Sequence, residues 1–365
     1  MTALQKNSIW TSKWRCPSNI ALVKYWGKHE FQKPINQSLS FVLQNSFTET
    51  SVELFKDGDQ KVEFYFEGVS NAFGERIENY LAQLSIRMHW IENYNFRIHS
   101  RNSFPHSAGI ASSASSFGAL ALCLAELHFA ISGKEPDSPD LWRKASELAR
   151  LGSGSACRSI YPGFAIWGNA QLFESCSDEY AIPLYEGINP MFYSLRDAIL
   201  IVDSGVKEVS STMGHALMNE HIFQPLRIAQ AHQNINELYL ALLTGNKEIF
   251  IEVVESEALT LHALMMTSYP SYCLLKPNTL ELISRIKKFR ETSKIPICFT
   301  LDAGPNIHLL YFKRNESEVK AFIEAELLAF CENHQWIDDC IGKGPERILD
   351  TWEIDQKDNT LNFKL

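Results

Sequence analysis

The sequence predicts an α+β protein in two domains. The chain has 365 residues, against about 100–200 for a common single domain. Segments with strand-like alternation and segments with helical spacing are mixed, without the regular strand–helix alternation that builds a parallel sheet. Gly187, Asn189 and Pro190 cluster where one such series ends and another begins, so the domains are placed at 1–190 and 191–365.

The elements follow in order. Residues 51–66, SVELFKDGDQKVEFYF, read as a β-hairpin: Val52, Leu54, Val62 and Phe64 alternate with polar residues, and Asp57-Gly58 supplies the turn. Residues 74–90 read as a helix, with Ile77, Tyr80, Leu81, Leu84 and Met88 on one face. Residues 94–100 read as a strand. Phe117, Leu120, Ala121, Leu124 and Leu127 recur at helical spacing. Ser138-Pro139 opens another helix, since proline is tolerated in a first turn, and that helix stops at Gly152. Residues 198–203, AILIVD, form an apolar strand, and 215–243 and 246–268 are mostly helical. IPICFTL (295–301) and IHLLYF (307–312) are two strands joined by Asp302-Ala303-Gly304-Pro305-Asn306.

Composition narrows the function. Hydrophobic residues make up 45% and charged residues 21%, ample for a core. The net charge of −9 is wrong for general nucleic-acid binding, which needs a basic surface. An anionic substrate would need cations gathered locally. The densest basic run, Arg285, Lys287, Lys288 and Arg290, reads as a solvated helix face. None of the eight cysteines forms a C-x-x-C pair or a zinc spacing, which suits a reducing, cytoplasmic compartment. The N-terminus lacks a continuous apolar signal region, and no apolar run of about 18 residues is seen, so no membrane association is expected.

Four stretches carry candidate chemistry. PHSAGIASSAS, 105–115, precedes the apolar helix. The first turn of a helix leaves N–H groups unpaired, and the dipole makes that end an anion site if no side chain blocks it. Ala108, Gly109, Ala111 and Ala114 leave the approach open, while Ser112 and Ser113 offer hydroxyls to a phosphate or a magnesium ion. A serine-rich cap has the same composition, so the stretch alone leaves both readings open. It is not a Walker motif, because no G-x-x-x-x-G-K-[ST] occurs in the chain. RLGSGSACRS, 150–159, joins two glycines to Ser153, Ser155 and the planar fork of Arg158. SNIALVKYWGKH, 18–29, sets Lys24 and Lys28 among aromatic residues. TLDAGPN, 300–306, puts Asp302 at a strand end, as an Asx turn or as a rigid proton acceptor.

Taken in order, SNIALVKYWGKH, NQSLS, NSFPHSAGIASSAS, GSGSACRS, VKEVSSTMGH and TLDAGPN resemble the mevalonate diphosphate decarboxylases of the GHMP kinase superfamily. DCIGKGPE, 339–346, looks like the family's C-terminal region, so the resemblance covers nearly the whole chain. It implies the two-domain GHMP kinase fold: an N-terminal domain like the second domain of ribosomal protein S5, and a ferredoxin-like C-terminal domain. It also implies an ATP- and Mg2+-dependent conversion of mevalonate 5-diphosphate to isopentenyl diphosphate, in a homodimer, with neither nucleic acid nor membrane as partner.

Residue by residue, the resemblance makes Asp302, Arg158 and Lys24 the catalytic set. Asp302 would orient or deprotonate the C3 hydroxyl, and Arg158 would hold the substrate carboxylate. Tyr25, Lys28, Ser153, Ser155 and Ser211 would bind substrate. Pro105, Ser107, Ala108, Gly109, Ser112 and Ser113 would hold ATP, with Ser112 or Ser113 near magnesium. Lys207 and Ser210 share the VKEVSST stretch with Ser211, without assigned roles. There are departures: His106 and Ser107 stand where eukaryotic members carry Thr-Ala, and Gln37 replaces a small residue of the NSSLS pattern. The joint presence of Lys24, Arg158 and Asp302 favours a decarboxylase over a mevalonate 3-kinase. A phosphomevalonate decarboxylase remains open.

Overall fold

A computed structural model describes residues 8–58, 60–70, 74–105, 110–134, 139–169, 173–205 and 211–349. Its strands are β1 (Trp10–Val23), β2 (Ser38–Phe55), β3 (Val62–Phe66), β4 (Val69–Ser70), β5 (Asn95–Asn102), β6 (Phe164–Trp167), β7 (Ala181–Leu184), β8 (Leu195–Leu200), β9 (Cys298–Thr300), β10 (Ile307–Phe312), β11 (Trp336–Cys340) and β12 (Glu346–Arg347). The α-helices are α1 (Gly74–Ser85), α2 (Ser112–Ile131), α3 (Pro139–Gly152), α4 (Ser211–Ala216), α5 (Gln224–Thr244), α6 (Lys247–Met266), α7 (Pro277–Ser293) and α8 (Glu316–Phe322).

The first sheet runs β12-β1-β2-β5-β3-β4, with β6 beside β2 and β7 beside β6. The hairpin expected over 51–66 is therefore corrected. Both strands form, but β5 lies between them, antiparallel to β2 (Val52↔Ile98) and parallel to β3 (Phe64↔Ile98). Asp57-Gly58 lies in the connection between β2 and β3 without setting the pairing. Lys61 sets it instead: its carbonyl accepts from Phe96 N at 2.9 Å, and its ammonium donates to the carbonyls of Ile91, Glu92 and Tyr94. The central place goes to the strand with both Phe96 and Ile98 fully buried.

The helix expected over 74–90 stops at Ser85, where Arg87 N and Met88 N both bond to Leu84 O. A 3-10 turn, His89–Asn93, then puts Trp90 and Ile91 into the same core that Met88 enters. The helical reading of 215–243 splits: α4 ends at Ala216, and α5 starts at Gln224 with Pro225 in its first turn.

α2 corrects the statement that no apolar run is long enough to cross a membrane. It is long and apolar enough by length and composition, and 78% of that window is buried inside the protein. It packs on β1, β2 and α3, so apolar residues face inward on nearly every side of the helix.

The second sheet is antiparallel in the order β11-β8-β10-β9. With α4–α7 between β8 and β9 and α8 before β11, this is the β-α-β-β-α-β arrangement of a ferredoxin-like domain. The basic run lies on α7, where Arg285 pairs with Glu281 and Arg290 reaches Glu255. The tail departs from the single cut at 190: β12 returns to the first sheet and pairs with β1 (Trp14↔Arg347). The two halves are also joined by Asp339, fully buried on β11, which accepts from Gln44 N at 2.9 Å and Asn45 N at 2.8 Å. Between the halves meet the end of β1, the start of α2, the turn after α3 and the β9–β10 loop.

Candidate functional site

The β1–β2 ladder ends at Val23↔Leu39. Lys24, the next residue, is 2% exposed and directs its ammonium at Asp302, with Nζ 3.0 Å from Oδ1. Its backbone no longer belongs to the sheet. Lys24 N donates to Glu257 Oε2 at 2.8 Å, and Lys24 O accepts from Asn36 at 2.8 Å and Arg227 at 3.0 Å. Asp302 follows β9, whose hydrogen-bonded partner is β10. Its carbonyl accepts from Gly304 N at 2.7 Å and lies 3.2 Å from His262 Nε2, so the turn is pinned on both sides. Burial lowers the pKa of the Lys24 ammonium, against the opposing pull of the Asp302 carboxylate.

Arg158 lies in a 3-10 turn, Gly154–Ile160, just beyond α3. It is 2% exposed, and its guanidinium donates only to neutral oxygens: Ser40 Oγ at 3.0 Å, Ser38 Oγ at 2.6 Å and Asn19 Oδ1 at 3.3 Å. Among the described residues no carboxylate pairs with it. A buried cation with no paired anion is costly, so this one is complementary to an anion brought from outside. Burial lowers its pKa, with Asp302 among the groups opposing that.

Tyr25 packs its ring 4.7 Å from Trp167 and 4.4 Å from His215, and its hydroxyl donates to Gln32 O at 3.0 Å. Gly154 is required here, because a Cβ would sit 2.6 Å from the Tyr25 hydroxyl. Gly27 has φ +91°, and a Cβ there would meet Ile35 at 2.9 Å. The half-buried Lys28 donates to Gln32 Oε1 at 2.9 Å, and burial and then Arg76 lower its pKa. His215, on α4, accepts from Gly27 N at 3.0 Å; burial, then Lys28 and Arg158, push its pKa down to about 3.

α2 begins at Ser112 after Ala111, which makes no side-chain cap, so a serine cap at that position does not hold; Ser112 N and Ala114 N donate to the carbonyls of Ile110 and Ala111 at 2.6 and 2.9 Å. Ser112, Ser113 and Ser116 line a cavity of about 100 Å3 together with Arg76, Phe117 and Phe64. Ser153 donates to Ser113 Oγ at 3.2 Å and so ties the two serine-rich stretches together. Pro105 is exposed at the near edge of this region, and Ser155 is half-buried, its carbonyl accepting from Asn19 at 3.1 Å. His106, Ser107, Ala108, Gly109, Lys207 and Ser210 lie outside the described residues. Ser211 opens α4, and its side chain is likewise outside the description. Gln37 bridges two elements: it donates to Asn169 O at 2.7 Å, and its Oε1 lies 3.1 Å from His232 Nδ1.

Two family models match the chain: a diphosphomevalonate decarboxylase-like N-terminal domain over residues 16–178, and a mevalonate 5-diphosphate decarboxylase C-terminal domain over 198–360. A solved mevalonate diphosphate decarboxylase from Staphylococcus aureus is 31% identical, with 93% of this chain and 98% of that one covered and a TM-score of 0.80. The chain belongs to the mevalonate diphosphate decarboxylase family. A second member, solved as MDDEF in complex with MVAPP, AMPPCP and magnesium, is 28% identical over 93% of this chain and 98% of that one, with a TM-score of 0.79. The diphosphomevalonate decarboxylase of Debaryomyces hansenii is 29% identical over 87% of this chain and 83% of its own. The phosphomevalonate decarboxylase of Haloferax volcanii is also 29% identical, over 91% and 95%.

Sequence reasoning missed several residues of this family member's site. Asn19, Ser38 and Ser40 lie inside quoted motifs, and alternation along a strand beside Arg158 was the available signal. Arg76, Arg227, Glu257 and His262 gave none, since each sits on a helix of ordinary composition.

One consequence is acid sensitivity. His215 is pushed down to about 3, and His262 down to about 4, chiefly by burial. Both bind a proton in the unfolded chain below about pH 6.5 that the folded chain refuses, so stability falls as pH drops through that window. The expected loss at pH 4.5 is on the order of 2 kcal/mol for each. Thermal unfolding at pH 7 and 4.5 checks this, and an unchanged midpoint would contradict it.

Proposed function

We propose that this chain catalyses the ATP-dependent decarboxylation of mevalonate 5-diphosphate to isopentenyl diphosphate. The observation that carries the reading is the Lys24–Asp302 pair at 3.0 Å, placed beside a buried Arg158 that no carboxylate among the described residues satisfies. The residues fit a nucleotide: the uncapped start of α2, with Ser112 and Ser113 beside the cavity, suits phosphate oxygens. Among the described residues no group of three or more His, Cys, Asp or Glu is placed to hold a metal ion. Ser112 or Ser113, with the phosphates, would hold Mg2+. When bound, Mg-ATP supplies the phosphoryl group that turns a tertiary hydroxyl into a leaving group.

The chain's own residues do the rest. Asp302 accepts the C3 hydroxyl proton, and Lys24 supplies the adjacent countercharge. Arg158 offers two N–H groups to the substrate carboxylate and holds C1 in line with the breaking C3–O bond. As that bond to phosphate breaks, the C1–C2 electron pair becomes the C2=C3 double bond and carbon dioxide leaves. Tyr25, Lys28, Ser153 and Ser155, with Ser211, meet the rest of the substrate, and Pro105, Ser107, Ala108 and Gly109 complete the nucleotide loop. Eight cysteines without a disulfide support a cytoplasmic setting. Leu226 and Leu240, 70% and 55% exposed on α5, support the homodimer, which light scattering tests.

The deciding experiment offers mevalonate, its 5-phosphate and its 5-diphosphate with Mg-ATP, and follows ADP and carbon dioxide together. Equal ADP and carbon dioxide from the diphosphate alone is the expected result. Turnover of the 5-phosphate would instead favour the second reading, a phosphomevalonate decarboxylase, which the similarity to the Haloferax volcanii protein supports. ADP without carbon dioxide would overturn both.

A further inference from the structure

The two members of the Lys24–Asp302 pair come from different sheets and lie 278 positions apart. Neither half of the chain can set their separation alone, yet one helix touches both. From α6, Glu257 accepts the Lys24 N–H at 2.8 Å. Little more than a turn further on, His262 Nε2 lies 3.2 Å from the Asp302 carbonyl. A carbonyl only accepts, so Nε2 carries the hydrogen and the ring is the donor. Glu257 is itself immobilised: it is 0% exposed, and Arg227 grips both its oxygens at 2.6 and 2.7 Å. Arg227 also donates to Lys24 O at 3.0 Å. Both backbone groups of Lys24, released where the β1–β2 ladder stops, are thus taken up partly by one buried ion pair.

Such a pair is a poor stabiliser compared with apolar packing, because desolvating two charges offsets their attraction. What it does provide is a fixed position and orientation for whatever it holds. We infer that Glu257 and His262 are positioning residues, and that α6 sets the distance between the Lys24 ammonium and the Asp302 carboxylate by holding the backbone of each. Misplacing a reacting group by about 1 Å can cost a hundredfold in rate, so the arrangement has kinetic leverage without touching substrate. The inference rests on the proposed reaction for its kinetic arm only.

The experiment compares His262→Gln with His262→Leu, and Glu257→Gln with Glu257→Leu, in the full chain. Each Gln variant keeps a hydrogen-bonding group where the backbone needs one, and each Leu variant deletes it. His262→Leu and Glu257→Leu are expected to lower kcat at least tenfold, with KM for both substrates within twofold. The Gln variants should recover most of that loss at comparable melting temperatures. A readout without turnover accompanies this: NMR of protein carrying 13Cε-labelled lysine follows the Lys24 ammonium titration. That titration is read in the His262 pair, where no charge is removed: it should shift in His262→Leu and return in His262→Gln, whereas both Glu257 variants delete a carboxylate that itself raises the Lys24 pKa. Unchanged kcat in the folded Leu variants together with an unchanged Lys24 titration in His262→Leu would overturn the inference, as would Gln variants with kcat no better than Leu. Wild-type protein that turns over none of the mevalonate substrates would overturn the proposed reaction, while a shifted Lys24 titration in His262→Leu would still uphold the positioning role.

Discussion

Asp302→Asn is expected to lower kcat by about a thousandfold, within the range seen when a positioned general base is lost. The substitution keeps the shape of the side chain and its place 3.0 Å from Lys24 Nζ. It removes the group that accepts the hydroxyl proton, and it leaves a buried ammonium without its countercharge. Because burial already lowers the Lys24 pKa and Asp302 is the main opposing influence, that pKa should fall further in the variant. Substrate affinity should change little, since the carboxylate acts on the reacting hydroxyl and not on the phosphates. Steady-state kinetics beside calorimetric binding separates the two. A kcat within tenfold of wild type would remove Asp302 from the proton transfer.

Replacing Arg158 should have the second largest effect, with an unusual signature. Arg158→Met removes a cation that is 2% exposed and bonded to Ser38, Ser40 and Asn19, none of which carries charge. Loss of a bidentate, charge-assisted contact to the substrate carboxylate should cut kcat/KM by about 10²–10³. The ratio of carbon dioxide to ADP should drop below one if alignment of the carboxylate is what the guanidinium provides. Without substrate, however, the burial of this charge opposes folding, and an apolar side chain of similar length relieves that. The unliganded variant should therefore melt no lower than wild type. Full activity in Arg158→Met would end the carboxylate role. Reduced activity with a much lower melting temperature would instead make Arg158 a structural residue.

The pattern of what was legible follows from range. The helix of α3, bounded by Pro139 and Gly152, was readable because its start and stop signals are local. The serine- and glycine-rich stretches stood out as candidates for the same reason: a phosphate cradle, where one exists, is built from consecutive backbone groups. The pairing of β2 with β5 was not, because a turn dipeptide reports only that the chain bends, whereas Lys61 and the burial of Phe96 and Ile98 decide which strands meet. The apolar character of α2 was visible as helical spacing, but its near-complete enclosure depends on β1, β2 and α3 arriving around it.

The family resemblance, the mixed α+β class and the candidate site residues Lys24, Arg158 and Asp302 are legible from the sequence alone. These are properties of residue type and short spacing. The packing of the fold is needed to see that, among the described residues, Arg158 bonds to neutral partners, that Ala111 gives α2 no side-chain cap, and that Glu257, 233 positions from Lys24, holds its backbone. Such facts depend on which polar groups are left without partners once the sheets and helices have packed. That outcome is set by the whole fold, and no local stretch of sequence carries it.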